Sequence, residues 1–167
     1  MVTIREAQQA DVEALGELKT TLDAETDFLG YGAGERKKDS QKLAERIRAM
    51  HEENAGAIFV AEDNGKLVGE MGAHQGSTQR RKHSAGLGIG VLKAYQGQGV
   101  GTKLFESMEL WARKNNIHRI ELEVMEHNAH AIELYEKLGF VREGIKRDAI
   151  CIDGKFINNI VMAKLLN

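Results

Sequence analysis

The sequence predicts a mixed α+β fold with a central, mostly antiparallel sheet. Alternating apolar residues, which are typical of strands, are interspersed with segments whose apolar residues recur every three or four positions, as in helices. Asn-Gly and Asp-Gly pairs at residues 64–65 and 153–154 favour antiparallel hairpins. Residues 91–120 connect two strands through a helix, which is the connection that parallel strands require. From a length of 167 residues, we expect a single domain over residues 1–167.

The first half of the chain predicts a strand, two helices and three further strands. Residues 2–5 alternate as a strand, Asp11 caps the first helix, and Ser40 caps the second. Charges and glycines predict a loop over residues 23–39. The apolar positions of the two helices are Val12, Leu15, Leu18, Leu22, Leu43, Ile47 and Met50. The strands that follow cover residues 57–61, 66–74 and 82–91.

The second half alternates more regularly between helices and strands. One helix covers residues 98–115. A strand around residues 120–124 precedes a second helix, which Asn128 caps and Gly139 ends. The last two strands form a hairpin and cover residues 140–151 and 155–165. The predicted element order is therefore β-α-α-β-β-β-α-β-α-β-β.

Charge and cysteine content exclude several classes of protein. Lys and Arg number 23 against 25 Asp and Glu, and the net charge of −2 disfavours nucleic-acid binding driven by bulk positive charge. The only cysteine, Cys151, excludes an internal disulfide and a multi-cysteine zinc site, and we expect it to be half-buried. No apolar run approaches the ~20 residues of a membrane span. We therefore expect a cytoplasmic protein with no nucleic-acid or membrane partner.

The most informative segment is a glycine-rich turn between a strand and a helix, residues 91–101. Helix N-termini leave backbone N–H groups unpaired and carry partial positive charge, and glycines allow an anion to approach closely. Gly97, Gly99 and Gly101 fit neither a P-loop nor the Gly-x-Gly-x-x-Gly dinucleotide fingerprint. The segment thus predicts a phosphate site of another type, or a tight turn without a ligand.

A second motif lies one helix and one strand further along the chain. Together with Gln96-x-x-Gly99-x-Gly101, it resembles the signatures of the GNAT superfamily of acetyl-CoA-dependent N-acyltransferases. The matching residues of this second motif are Asn128, Ala131, Leu134, Tyr135, Gly139 and Phe140. The predicted element order is similar to that of the family from end to end. Lys93 stands where members often have proline, and Gln96 is an accepted alternative to arginine.

The resemblance implies a GNAT-like fold, with helices on both faces of the sheet and two parallel strands splayed apart by a bulge. These strands are residues 84–91 and 118–125, and the pantetheine arm of acetyl-CoA pairs with backbone groups near Ile89 and Val91. The amides of residues 96–101 hold the pyrophosphate. The implied acetyl-CoA site consists of Ile89, Gly90, Val91, Gln96, Gly97, Gln98, Gly99, Val100, Gly101, Thr102, Asn128 and Tyr135, with Lys93 and Lys103 as candidate phosphate partners.

The reaction that the resemblance implies is attack of an amine on a thioester. The amine must first lose a proton, because a free alkylammonium has a pKa near ~10.4. A backbone N–H near Val91 is a candidate oxyanion donor, and Tyr135 corresponds to the family's usual acid for the departing thiolate. The spacing of Tyr135 from Ile132 and Leu138 equally fits a buried core aromatic.

The general base is the least determined part of the predicted site. Glu123 is similar in position to a glutamate of the family's ribosomal-protein alanine acetyltransferases, which works through water. It fits a solvated strand charge equally well. Glu70, His74 and His83 are alternative bases, and many family members use a water chain.

Two classes of function fit these residues. The first is an N-acyltransferase that moves an acetyl group from acetyl-CoA to a primary amine of a small molecule or peptide, by direct attack in a ternary complex. The second is a non-catalytic acyl-CoA binding or sensing module. The acceptor is expected between residues 23–39 and 150–158. The loop's acidic residues, Asp23, Glu25 and Asp27, could attract a cationic amine or serve solubility. A homodimer is expected because dimers are common in the family, and no metal ion is expected.

Overall fold

The computed structural model describes all residues, Met1–Asn167, and the predicted element order is confirmed. Seven strands form one sheet in the order β1-β2-β3-β4-β5-β7-β6. The strands are β1 Val2–Glu6, β2 Gly56–Asp63, β3 Lys66–Gln75, β4 Ser84–Val91, β5 Arg119–Met125, β6 Val141–Ile152 and β7 Lys155–Leu165. The helices are α1 Val12–Glu25, α2 Ser40–Glu52, α3 Val100–Lys114 and α4 Ala129–Lys137. Two short 3₁₀ turns, Gln9–Asp11 and Lys93–Tyr95, were not predicted.

The strands β4 and β5 are the parallel pair of the sheet, and every other neighbouring pair is antiparallel. Their pairing covers only Ser84–Gly86 against Arg119–Glu121, although both strands continue well beyond. The predicted splay is therefore confirmed. The register of β4 on β3 does not shift anywhere between Ala85 and Val91, so the bulge implied by the resemblance is absent from that ladder.

Helices cover both faces of the sheet, as predicted. A Cβ on Gly90 would lie 2.8 Å from Cδ1 of Leu22, so glycine at this position lets α1 approach β4. The preceding residue, Ile89, points towards α3. Its Cδ1 lies 3.9 Å from where a Cβ on Gly101 of α3 would be. Successive strand residues face opposite sides, so α1 and α3 lie on opposite faces. A single cluster of 33 buried apolar residues joins helices and sheet.

Asp11 is the N-cap residue of α1 as predicted, but its side chain makes no capping bond, and the predicted cap of α2 at Ser40 is wrong. Asp11 makes no cap bond to α1, because both carboxylate oxygens accept hydrogen bonds of 2.8 Å from Arg5 on β1. Helix α2 is capped by Asp39, whose Oδ1 accepts from the Lys42 N–H at 2.9 Å, and Ser40 is the first helical residue. The capping bonds could not be predicted from sequence, because neighbouring polar residues such as Asp39 and Ser40 are equally good helix caps.

Cys151 is exposed rather than half-buried. It lies on β6, which forms the edge of the sheet and pairs only with β7, so most of this strand faces solvent. None of the helices combines the length and apolar character that crossing a membrane requires.

Candidate active site

The divergence of β4 and β5 opens a cavity of about 780 Å³ between the two strands. Its walls are the outer halves of both strands, the start of α3, the face of α4 and residues from the loop after α1. All but one of the predicted acetyl-CoA and catalytic residues line it. These are Ile89, Gly90, Val91, Gln96, Gly97, Gly99, Val100, Gly101, Thr102, Glu123, Asn128 and Tyr135. The exception is Gln98, whose side-chain amide donates to the Ala94 carbonyl at 2.9 Å within the turn.

The edge of β4 presents unpaired backbone groups to this cavity. The Leu92 N–H donates to the Val68 carbonyl at 2.9 Å, which fixes the phase of the β3–β4 ladder. Backbone groups in an antiparallel ladder alternate in direction, so those of Ile89 and Val91 point away from β3 and into the splay. The Val91 carbonyl accepts from Nε2 of Gln96 at 3.1 Å, which agrees with this phase. The N–H groups of both residues are therefore available to an extended ligand.

The glycine-rich turn forms an anion site at the start of α3. Gly97 and Gly99 have left-handed backbone angles, with φ of +71° and +80°, and a Cβ on either would meet nothing within 4 Å. The first hydrogen bond of α3 runs from the Lys103 N–H to the Gly99 carbonyl at 3.1 Å, and no side chain caps the helix. The preceding amides are thus unpaired and no acidic residue lies in the first turn, an arrangement that suits a phosphate.

The remaining candidates for phosphate and cosubstrate contacts differ in position. Asn128 lines the cavity and also caps α4, where its Oδ1 accepts from the Ala131 N–H at 3.3 Å. Lys93 lines the cavity, whereas Lys103 on α3 does not. Lys93 is therefore the better placed of the two cations to meet a phosphate.

Tyr135 is a buried core aromatic, as its spacing predicted, and it also lines the cavity. Its side chain is 7% exposed, and its ring packs edge-on against Phe105, with 5.6 Å between centroids, while also lining the cavity. Burial raises the pKa of Tyr135 to about 12. The hydroxyl therefore stays protonated at neutral pH, as a general acid for a thiolate requires.

Glu123 lines the cavity but is held by two neighbours. Lys146 on β6 forms a short ion pair with Oε1, and Nδ2 of Asn159 donates to Oε2 at 3.2 Å. The hydrogen bond from Lys146 lowers the pKa of Glu123 below its usual range. A carboxylate with a lowered pKa is a weaker base, and it is better suited to orient a water than to hold a proton itself. The positions of Lys146 and Asn159 carried no signal in the sequence, because both partners come from the distant last hairpin.

The alternative bases lie outside the cavity. Glu70 pairs with Lys19 at 2.5 Å on the face covered by α1. Burial, followed by the charges of Arg46 and Lys19, lowers the pKa of His74. His83 precedes β4 in an exposed turn rather than lying on the strand.

The acidic loop is less available to an acceptor than its sequence suggested. Asp23 is buried at the end of α1 and forms an ion pair with Arg36 at 2.6 Å. Glu25 accepts from the Lys93 N–H at 2.8 Å, so only Asp27 of the three lacks a partner. The loop does line the cavity, through residues such as Phe28, whereas no residue of the 150–158 hairpin does. No group of His, Cys, Asp and Glu side chains is arranged to hold a metal ion.

The sequence profile described as the Acetyltransferase (GNAT) family matches residues 18–140. The L-amino acid N-acetyltransferase AaaT of Escherichia coli K12 is 27% identical over 168 residues, which cover 98% of both chains. A solved GNAT-family acetyltransferase from Streptococcus pneumoniae has a TM-score of 0.95 and 29% identity over the full length of both chains. The fold is also that of yncA from Salmonella typhimurium, solved with acetyl-CoA, with a TM-score of 0.88 and 23% identity over 99% of this chain and 94% of that one. The chain therefore belongs to the GNAT acetyltransferase family and is an acetyl-CoA-dependent N-acetyltransferase.

Proposed function

We propose that this enzyme transfers the acetyl group directly from acetyl-CoA to a primary amine while both are bound. One observation carries this proposal. The cavity between β4 and β5 brings together the free backbone edge of β4, the uncapped start of α3 and the hydroxyl of Tyr135. These groups suit, in turn, an extended pantetheine arm, a pyrophosphate and a departing thiolate.

Each bond change in the transfer has a group to serve it. The neutral amine attacks the thioester carbon, a C–N bond forms, and the carbonyl oxygen becomes an oxyanion that the Val91 N–H stabilises. The C–S bond then breaks, and Tyr135 donates its proton to the thiolate of CoA. The nitrogen loses its surplus proton, and Tyr135 is reprotonated from solvent. The products are the N-acetylated amine and the free thiol of CoA.

The proton of the incoming ammonium leaves through a water that Glu123 orients. Glu123 lines the cavity from β5, and its pKa is lowered by Lys146. These two features support relay through water rather than direct, stable protonation of the carboxylate. Glu70, His74, His83 or an unassisted water chain remain the alternatives.

The test measures thiol release from acetyl-CoA in the presence of a panel of primary amines, and the mass of each acetylated product. We expect thiol release that depends on the amine and matches product one to one. A protein that binds acetyl-CoA but acetylates no amine, peptide amines included, would instead fit the non-catalytic sensing module.

The finer properties of the protein are part of this proposal. Residues 1–167 act as one catalytic domain in the cytoplasm, with no metal ion and no nucleic-acid or membrane partner. The continuous sheet and the single apolar core support the one-domain assignment. The edge strand β6 exposes Val141 and Ile145, and the neighbouring β7 exposes Phe156, which supports a homodimer. Light scattering tests the dimer, and full activity after treatment with a chelator tests the absence of a metal.

A further inference from the structure

Arg46 on α2 lies over the face of the sheet that is opposite to α3. Its Nη2 donates to Nε2 of His74 on β3 at 2.7 Å. A Cβ on Gly72, also on β3, would lie 3.0 Å from the same nitrogen. The guanidinium therefore rests directly on the backbone of β3, next to a position that has no side chain.

Arg46 forms no ion pair with a carboxylate of the chain, although the charge of Glu70 acts on it from beyond contact distance. Six of the ten arginines form ion pairs with carboxylates, and the unpaired ones other than Arg46 are Arg80, Arg81 and Arg147, which are exposed. Nε of Arg46 is buried and has no hydrogen-bond partner, and Nη1 has no partner but remains accessible. A partly buried cation without a counterion is costly, unless a ligand supplies the opposite charge.

The charged groups around Arg46 pair with one another and leave its positive charge unbalanced. Lys19 is neutralised by Glu70 at 2.5 Å, and Arg36 by Asp23 at 2.6 Å. The lowered pKa of His74 keeps the imidazole neutral at pH 7, so it accepts a hydrogen bond from Arg46 but supplies no negative charge. Burial lowers the pKa of Arg46, and the nearby charge of Glu70, which acts in the opposite direction, does not offset it.

Arg46, Gly72 and His74 do not line the acetyl-transfer cavity, but they lie beside one of its walls. Gly88 on β4 is the ladder partner of Gly72 and lines the cavity. A Cβ on Gly88 or on Gly86 would meet nothing within 4 Å. The guanidinium over Gly72 is thus about one strand spacing, ~4.8 Å, from the cavity wall.

A carboxylate, that of Glu123 in its ion pair with Lys146, lies on the other side of the same strand surface. In the parallel register Gly86 is the partner of Glu121, so Glu123, two residues further along β5, faces the same side as Gly88. Glu123 lines the cavity from this position. The face therefore presents a cation on the β3 side, a glycine floor in the middle and a carboxylate on the β5 side.

We propose that Arg46 binds a carboxylate of the acceptor, so that the acceptor is a carboxylate-bearing primary amine, of which a free amino acid is the smallest example. The planar guanidinium offers Nη1 and Nη2 to the two oxygens of a carboxylate. The amine of the same molecule then lies towards Glu123 and the thioester. This inference rests on the proposed function. It also disfavours a polyamine acceptor, because a second ammonium would face Arg46 instead of an acidic loop.

The experiment compares L-amino acids with apolar, polar and charged side chains, each as the free acid and as its carboxamide. The wild-type enzyme, Arg46→Met, Arg46→Lys and a control, Arg48→Met, are assayed. Arg48 lies on the same helix but pairs with glutamates at the surface. We expect the wild type and the control to favour the free acid at least tenfold in kcat/KM. Arg46→Met loses this preference, mainly through a higher KM for the free acid, and Arg46→Lys retains part of it.

Calorimetric binding of the same pairs to the CoA complex separates this inference from the proposed function. Carboxamides acetylated as well as acids, with no change in Arg46→Met, would overturn the role of Arg46 while acetyl transfer stands. Free acids that bind the wild type but not a folded Arg46→Met would support the carboxylate site even without thiol release. No binding of any free acid to the wild type would overturn the site. Melting curves of each variant verify that it folds.

Discussion

Two regions beside β4 offer different kinds of group to a ligand. At the free edge of β4 and the start of α3 the groups are mostly backbone amides, from Ile89, Val91 and the first turn of α3. On the side of α1 and α2 they are charged side chains, most of which neutralise one another and leave Arg46 unpaired. Backbone groups suit a cosubstrate that is the same in every reaction, whereas side chains are the means by which an acceptor can be selected.

This difference also explains why the cosubstrate region can be predicted from sequence and the acceptor region cannot. Backbone amides become available only where glycine permits the approach, and glycines at fixed spacing form a visible motif. A charged residue without a partner can be identified only in the folded structure, where the ion pairs of the other charged residues are known. Variants in the two regions should therefore affect different kinetic constants.

The largest expected effect is in the cosubstrate region. Gly101→Glu adds a carboxylate to the first turn of α3, where its Cβ would lie 3.4 Å from Cδ2 of Leu134 and its charge repels a phosphate bound at the unpaired amides. We expect acetyl-CoA affinity to fall by about 100-fold or more, and acetyl-CoA to lose its mass-action effect on the melting temperature. Gly144→Glu, on the exposed β6 with nothing within 4 Å of a Cβ, is the control with the same charge change. Normal binding by folded Gly101→Glu would place the phosphates elsewhere.

Tyr135→Phe should have the next largest effect, and on kcat alone. The ring contacts with Phe105 remain, but the proton donor for the thiolate is lost. We expect kcat to fall by roughly 10²–10⁴-fold with acetyl-CoA affinity nearly unchanged. Tyr31→Phe, an exposed tyrosine outside the cavity, serves as the control. Unchanged turnover under conditions where chemistry limits the rate would remove Tyr135 from the mechanism.

Glu123 should be revealed by the pH dependence of the reaction. Glu123→Gln keeps the size but removes the charge, and we expect kcat/KM near neutral pH to fall by about 10- to 100-fold, with partial recovery at high pH where more amine is neutral. Acetyl-CoA affinity should hardly change.

Lys146→Met gives the complementary measurement on Glu123. Loss of the hydrogen bond from Lys146 raises the pKa of Glu123, so the acid limb of the kcat/KM profile moves to higher pH. Profiles of both variants that overlay the wild type would make Glu123 a strand charge only. Glu70, His74, His83 or a water chain would then carry the proton.

The smallest effect is expected from Gly88→Ala in the acceptor region. The position has an ordinary backbone conformation and open space around a Cβ, so the variant should fold normally. The methyl group narrows the floor between Arg46 and Glu123, and we expect KM for the acceptor to rise several-fold while KM for acetyl-CoA is unchanged. A higher KM for acetyl-CoA with an unchanged KM for the acceptor would show that acetyl-CoA, rather than the acceptor, lies beside Gly88.

Sequence reasoning predicted which residues of the two motifs line the cavity better than it predicted the neighbours of the acceptor region. The twelve predicted residues that line the cavity fall within two segments, residues 89–102 and 123–135, where local structure already brings them close. Gln98 shows the limit of that reasoning, since its place in the turn directs its side chain to Ala94. The hairpin at 150–158 was expected near the acceptor, but β6 contributes Lys146 instead, well before the turn.

By itself, the sequence determined the element order, the strand-helix turn at Gly97–Gly101 and the resemblance to the GNAT family, because these depend on spacing between near neighbours. Only the tertiary structure decided which charged groups are satisfied. Asp23 pairs with Arg36, Glu123 with Lys146, and Arg46 with no carboxylate at all. The physical reason is that a charge takes its pKa and its availability from neighbours brought close by folding, and those neighbours come from different elements of the chain.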